Sequence, residues 1–73
     1  MNDEARTLFQ QIMNGYLAAG CPERGGYLFG AGEMSDAYRD LESAGLLQRV
    51  FGVAGGVAWR LTETGATRAK LPA

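Results

Sequence analysis

The sequence predicts a small α+β domain in the order helix, irregular glycine-rich segment, helix, two-stranded β-hairpin and short C-terminal helix. Three observations lead there. An apolar stripe with helical spacing fills the first twenty residues, the apolar period changes from helical to alternating after Gly45, and Gly55-Gly56 separates two alternating runs. With 73 residues, 47% of them hydrophobic and 21% charged, the chain is expected to form one globular domain over residues 1–73. A core of this size supplies roughly 3 to 5 kcal/mol of net stability, so a homodimer or a larger partner would add to it.

Over residues 3–19, Ala5, Leu8, Phe9, Ile12, Met13, Tyr16 and Leu17 recur at steps of three and four, with Arg6, Gln10, Gln11 and Asn14 between them. Asn2 suits the N-cap, Asp3 and Glu4 suit the positive end of the helix dipole, and Gly20-Cys21-Pro22 supplies the stop. The stripe belongs in a core or in a dimer seam. From Gly20 to Gly32, five glycines and a proline surround Tyr27, Leu28 and Phe29, a composition poor for a helix. A turn followed by a short strand or one irregular helical turn is expected there.

The second helix is expected over about Glu33 to Ala44, with Met34, Ala37 or Tyr38, and Leu41 inward, and Gly45 as a left-handed stop. Leu47, Arg49, Phe51 and Val53 then alternate with Gln48 and Val50, as in a strand. In the second run Val57, Trp59 and Leu61 share one face, and Ala58, Arg60 and Thr62 the other. Trp59 is expected as the anchor of the hairpin, packed on Leu61, Phe51 or the first helix. Thr62 reads as the N-cap of a closing helix that Gly65 weakens.

Several function classes find little support. There is no histidine, the single Cys21 has no CxxC partner, and a structural zinc site is therefore not expected. Cys21 has no candidate base beside it and the carboxylates are scattered, so no enzyme is read here. GGYLFGAG matches neither a phosphate loop nor a dinucleotide fingerprint, and no cofactor is expected. The acidic start is unlike a signal peptide and no apolar run is long enough for a bilayer, which places the protein in the cytoplasm as an expectation. A net charge of −1 gives no general attraction to nucleic acid.

Two segments carry a resemblance. AYRDLESAGLL, Ala37 to Leu47, is similar to the recognition helix of winged helix-turn-helix regulators of the MarR and PadR types, and WRLTETG, Trp59 to Gly65, is similar to the run that closes their wing. The resemblance spans about Ser35 to Ala69 and implies a winged-helix-like domain that binds duplex DNA with its recognition helix in the major groove. On that reading Ser35, Arg39, Arg49, Arg60 and Arg68 would contact DNA, and the first helix would serve a homodimer.

The surface chemistry of the same elements suggests a different partner. Glu33, Asp36, Asp40 and Glu42 surround Arg39 on the second helix, and carboxylates near phosphates are repelled. The hairpin tip has no lysine or arginine. Asp36, Asp40, Val53, Ala54 and Val57 would then form a protein-binding surface, as in a phage or mobile-element adaptor or an inhibitor of a host protein. Arginine outnumbers lysine six to one, which suits directional hydrogen bonding to a partner of either kind.

Overall fold

The first helix, α1 (Asp3–Ala18), starts where Asn2 accepts a hydrogen bond from the Ala5 amide at 2.8 Å. The structure, a computed structural model, describes residues 2–23, 27–53 and 56–71, and of residues 52 and 53 the backbone only. Ala5, Phe9, Ile12 and Tyr16 of α1 are buried against the rest of the chain. The apolar stripe is thus spent on the protein's own core, the first of the two places expected for it. Leu8 and Met13 pack at its margin.

Of the two forms expected for the glycine-rich segment, the described part comes nearer the strand, with a single β-bridge in place of a ladder. Phe29 forms an antiparallel bridge with Trp59, each amide donating to the other's carbonyl at 2.9 Å, and the Gly32 amide donates to the Val57 carbonyl at 2.7 Å. Among the described residues no helix lies between α1 and α2 (Asp36–Ser43).

α2 begins three residues later than the sequence suggested. The Glu33 carbonyl accepts the Trp59 Nε1 hydrogen bond at 2.8 Å, and Ser35 is extended, so the chain enters the helix only after both. Met34, expected to face inward, therefore lies outside the helix and is exposed. Ala37 and Leu41 are buried and Tyr38 half-buried. Gly45 stops α2 at φ +77°, with the Leu46 amide donating back to the Leu41 carbonyl at 3.0 Å.

β1 (Leu47–Val53) and β2 (Gly56–Leu61) pair antiparallel, with Leu47 opposite Leu61, Arg49 opposite Trp59 and Phe51 opposite Val57. The register shifts between Phe51 and Val53. Trp59, 0% exposed, joins Leu46, Leu47, Leu61 and the α1 stripe in one core. Of the neighbours expected for Trp59, Leu61 and the first helix share its core, whereas Phe51 is 70% exposed. That indole already meets Tyr38, with ring centroids 5.4 Å apart, and the Arg49 guanidinium at 5.6 Å.

Thr62 caps α3 (Glu63–Lys70). Its side-chain oxygen accepts from the Gly65 amide at 3.1 Å, and its hydroxyl donates to the Gly45 carbonyl at 2.5 Å. α1 packs against both α2 and α3. The α+β architecture and element order are those the sequence predicts.

Candidate functional site

Strand alternation sets the two faces of the hairpin. Leu47, Arg49 and Phe51 share a face with Leu61, Trp59 and Val57, while Gln48 and Val50 share the other with Arg60 and Ala58. Arg49 and Arg60 therefore project to opposite sides and do not form one strip.

On the first face Arg49 is tied down. Its Nε and Nη2 each donate to one oxygen of Glu42 at 2.8 Å, a two-pronged pair in which both side chains are about one-third exposed. Such forked, charge-assisted bonds are stronger and more directional than a single contact on an open surface. The pair fastens the last turn of α2 to β1 and holds the guanidinium over Trp59. On the opposite face Arg60 Nε donates to Gln48 Oε1 at 3.1 Å.

Tyr38 completes the cluster around Trp59. Burial, with the Glu33 carboxylate adding to it, pushes its hydroxyl above the ordinary value of about 10. The folded state thus holds this proton more tightly than the unfolded chain. Its contribution to stability is fully present below about pH 10 and is lost as pH rises from there through the folded value. Melting temperatures measured from pH 9 to pH 11 are expected to fall more steeply for the natural protein than for Tyr38→Phe; parallel curves would refute the assignment.

On α2, Arg39 pairs with Asp36 at 3.1 Å, and both are open to solvent. Ser35 is exposed and its side chain makes no capping bond to α2. Asp40 is half-buried on the same helix. Arg68 is exposed in the last turn of α3, where it and Lys70 suit the negative end of the helix dipole. The five residues assigned to DNA are thus distributed over α2, both faces of the hairpin and α3.

Neither a protein-family model, nor a curated protein, nor a solved structure matches the chain. No helix among the described residues is long and apolar enough to cross a membrane, and among them no group of three or more histidine, cysteine or acidic side chains is placed to hold a metal ion.

Of the residues assigned to a protein surface, Asp36 is exposed, Asp40 and Val57 are half-buried, Ala54 lies outside the described residues and so does the Val53 side chain. Sequence reasoning missed Phe51, the most exposed large apolar side chain among those described. Its signal was present in Gly52 and the Gly55-Gly56 pair that follow it, which place it near the far end of the hairpin from the core.

A second feature is an open cleft of about 590 Å³ between the end of α1 and α3, lined among others by Tyr16, Cys21, Arg60, Glu63, Thr67 and Lys70. Its two cations, Arg60 and Lys70, are matched in its lining by the carboxylates of Glu23 and Glu63.

Proposed function

We propose that the chain is a non-catalytic protein-interaction module whose hairpin docks on a protein partner, with Phe51 as the anchor. The single observation that carries this reading is the 70% exposure of Phe51 on the same face as Trp59 and Val57. Burying such a ring is worth about 1.5 to 3 kcal/mol. Aromatic side chains that fill a partner's pocket dominate the energetics of protein interfaces. Asp36 and Asp40 support the same reading, because they set carboxylates where a phosphate backbone would otherwise approach α2. An adaptor or an inhibitor of another protein fits this surface.

Placing a photo-cross-linking amino acid at position 51 and irradiating intact cells is expected to give protein adducts of defined mass, with none from the same probe at Arg6. Adducts to nucleic acid, or none, would overturn the reading. Phe51→Ser should weaken the association at least tenfold while leaving stability within about 0.5 kcal/mol, as for other surface changes.

Duplex DNA is the second reading. What favours it is the succession of α2 and hairpin, with Ser35 and Arg39 open at the start of α2, together with the resemblance to winged helix-turn-helix regulators. A micromolar complex with random duplex DNA that weakens steeply with salt, and that Arg39→Gln with Arg60→Gln abolishes, would establish it in place of the first.

A further inference from the structure

We propose that a second copy of this chain adds to the outer edge of β1, giving a four-stranded antiparallel sheet in the order β2–β1–β1–β2 about a twofold axis at Val50. This rests on the reading of the hairpin as a protein-docking surface and names its occupant.

The hydrogen-bond phase of the hairpin decides which backbone groups face outward. Trp59 spends both its amide and its carbonyl on Phe29, at the side of β2 away from β1. The Val57 carbonyl likewise accepts from Gly32 on that side. In an antiparallel ladder, residues directly opposite each other either exchange both bonds or turn both sets of groups away. Arg49 lies opposite Trp59 and Phe51 opposite Val57, so both turn their amides and carbonyls to the outer edge of β1. Among the described residues only β2 pairs with β1.

That edge lacks the usual protection. Leu47 to Phe51 contain no proline and no lysine, and the one charge, Arg49, is neutralised by Glu42.

Charge and phase together select the register. An added strand bonds only where outward-facing residues meet. A twofold axis at Arg49 would set two arginines directly opposite each other, which is unfavourable. An axis at Phe51 would need the ladder to continue at once across the irregularity between Phe51 and Val53. An axis at Gln48 would set Phe51 opposite Gly45, outside β1, and leave its ring uncovered. An axis at Val50 avoids all three. It sets Arg49 of each copy opposite Phe51 of the other, on the face that carries Trp59, and Val50 opposite Val50 on the reverse face.

The exposed Phe51 ring then lies beside a guanidinium already held over an indole, a complementary contact of cation and aromatic face. Each copy supplies the ring the other receives, as a twofold interface requires. A short strand and one ring a side make a small interface, below about 1,200 Å², and the dimer is expected to be weak, with a micromolar or looser dissociation constant.

Two measurements test this on the whole chain. Sedimentation across a hundredfold concentration range reaching about 0.5 mM should show a reversible monomer–dimer equilibrium that Phe51→Lys abolishes while the circular dichroism spectrum is unchanged. In a Cys21→Ser background, Val50→Cys should oxidise to a covalent dimer, because unbonded opposed pairs bring Cα atoms to about 4.5 Å, within disulfide reach. Leu28→Cys in the same background should not. A monomer throughout, with no Val50 cross-link, overturns the self-association. If the probe at position 51 still captures a protein of another mass, the docking reading stands and only its occupant changes; if it captures nothing, both fall.

Discussion

Trp59→Ala is expected to leave a large fraction of the molecules unfolded at 25 °C. The side chain is 0% exposed, and truncating a buried tryptophan costs about 3 to 5 kcal/mol. A domain of this size has roughly that much to lose. The loss is also more than a cavity. The indole donates to the Glu33 carbonyl, packs on Tyr38 and carries the Arg49 guanidinium, so it joins the segment before α2, α2 itself and β1. Trp59→Phe is expected to fall between the two proteins, because it keeps an aromatic ring and orphans the carbonyl. Urea titration followed by far-ultraviolet circular dichroism gives the comparison. A Trp59→Ala midpoint equal to that of the natural protein would mean that the core lies elsewhere.

Gly65→Ala is expected to destabilise the protein by about 1 to 3 kcal/mol, the usual range for overpacking. The sign is the informative part. Alanine favours helix over glycine by about 1 kcal/mol, so at an open position of α3 the same change would stabilise. At Gly65 a Cβ would run into the Leu46 carbonyl oxygen, with Leu61 Cδ2 at 3.1 Å. That carbonyl cannot readily yield, since it accepts from the Thr62 amide at 3.1 Å and lies between the stop of α2 and the start of β1. Thr64→Ala, at an exposed position of the same helix, is the control. Thermal melts should separate them, with about 4 to 8 °C for each kcal/mol in a domain of this length. An unchanged or raised melting temperature for Gly65→Ala would refute the close approach.

What the sequence made legible was local. The α1 stripe, the stop at Gly45, the two alternating runs and the Thr62 cap each depend on residues within one turn or one strand of each other, and each is found. Gly65 was legible as an oddity in a helix, but its reason is a neighbour nineteen positions back, at Leu46. The late start of α2 and the bridge at Phe29 were hidden for the same cause, since Trp59 sets both from far along the chain. For the candidate site, alternation within each strand was legible, but that Arg49 and Arg60 lie on different faces follows only from the register that sets Arg49 opposite Trp59. The tie of Arg49 to Glu42 was not legible, because it needs the turn at Gly45 to fold β1 back against α2. Phe51 followed the core pattern of Leu47 and differs only in how far the helices reach along the hairpin.

The Thr62 hydroxyl, held between the Gly45 carbonyl and the Gly65 amide, bears on how the hairpin keeps its alignment. Hairpins are commonly aligned by the chemistry of their turn. In this protein a side chain just past the end of β2 grips the residue before Leu46, so the two strands are indexed from their open end, and a slip by one position would break this bond together with the one from the Thr62 amide to the Leu46 carbonyl. The loop at the other end is thereby relieved of that duty, and its sequence is free to be shaped by whatever it touches.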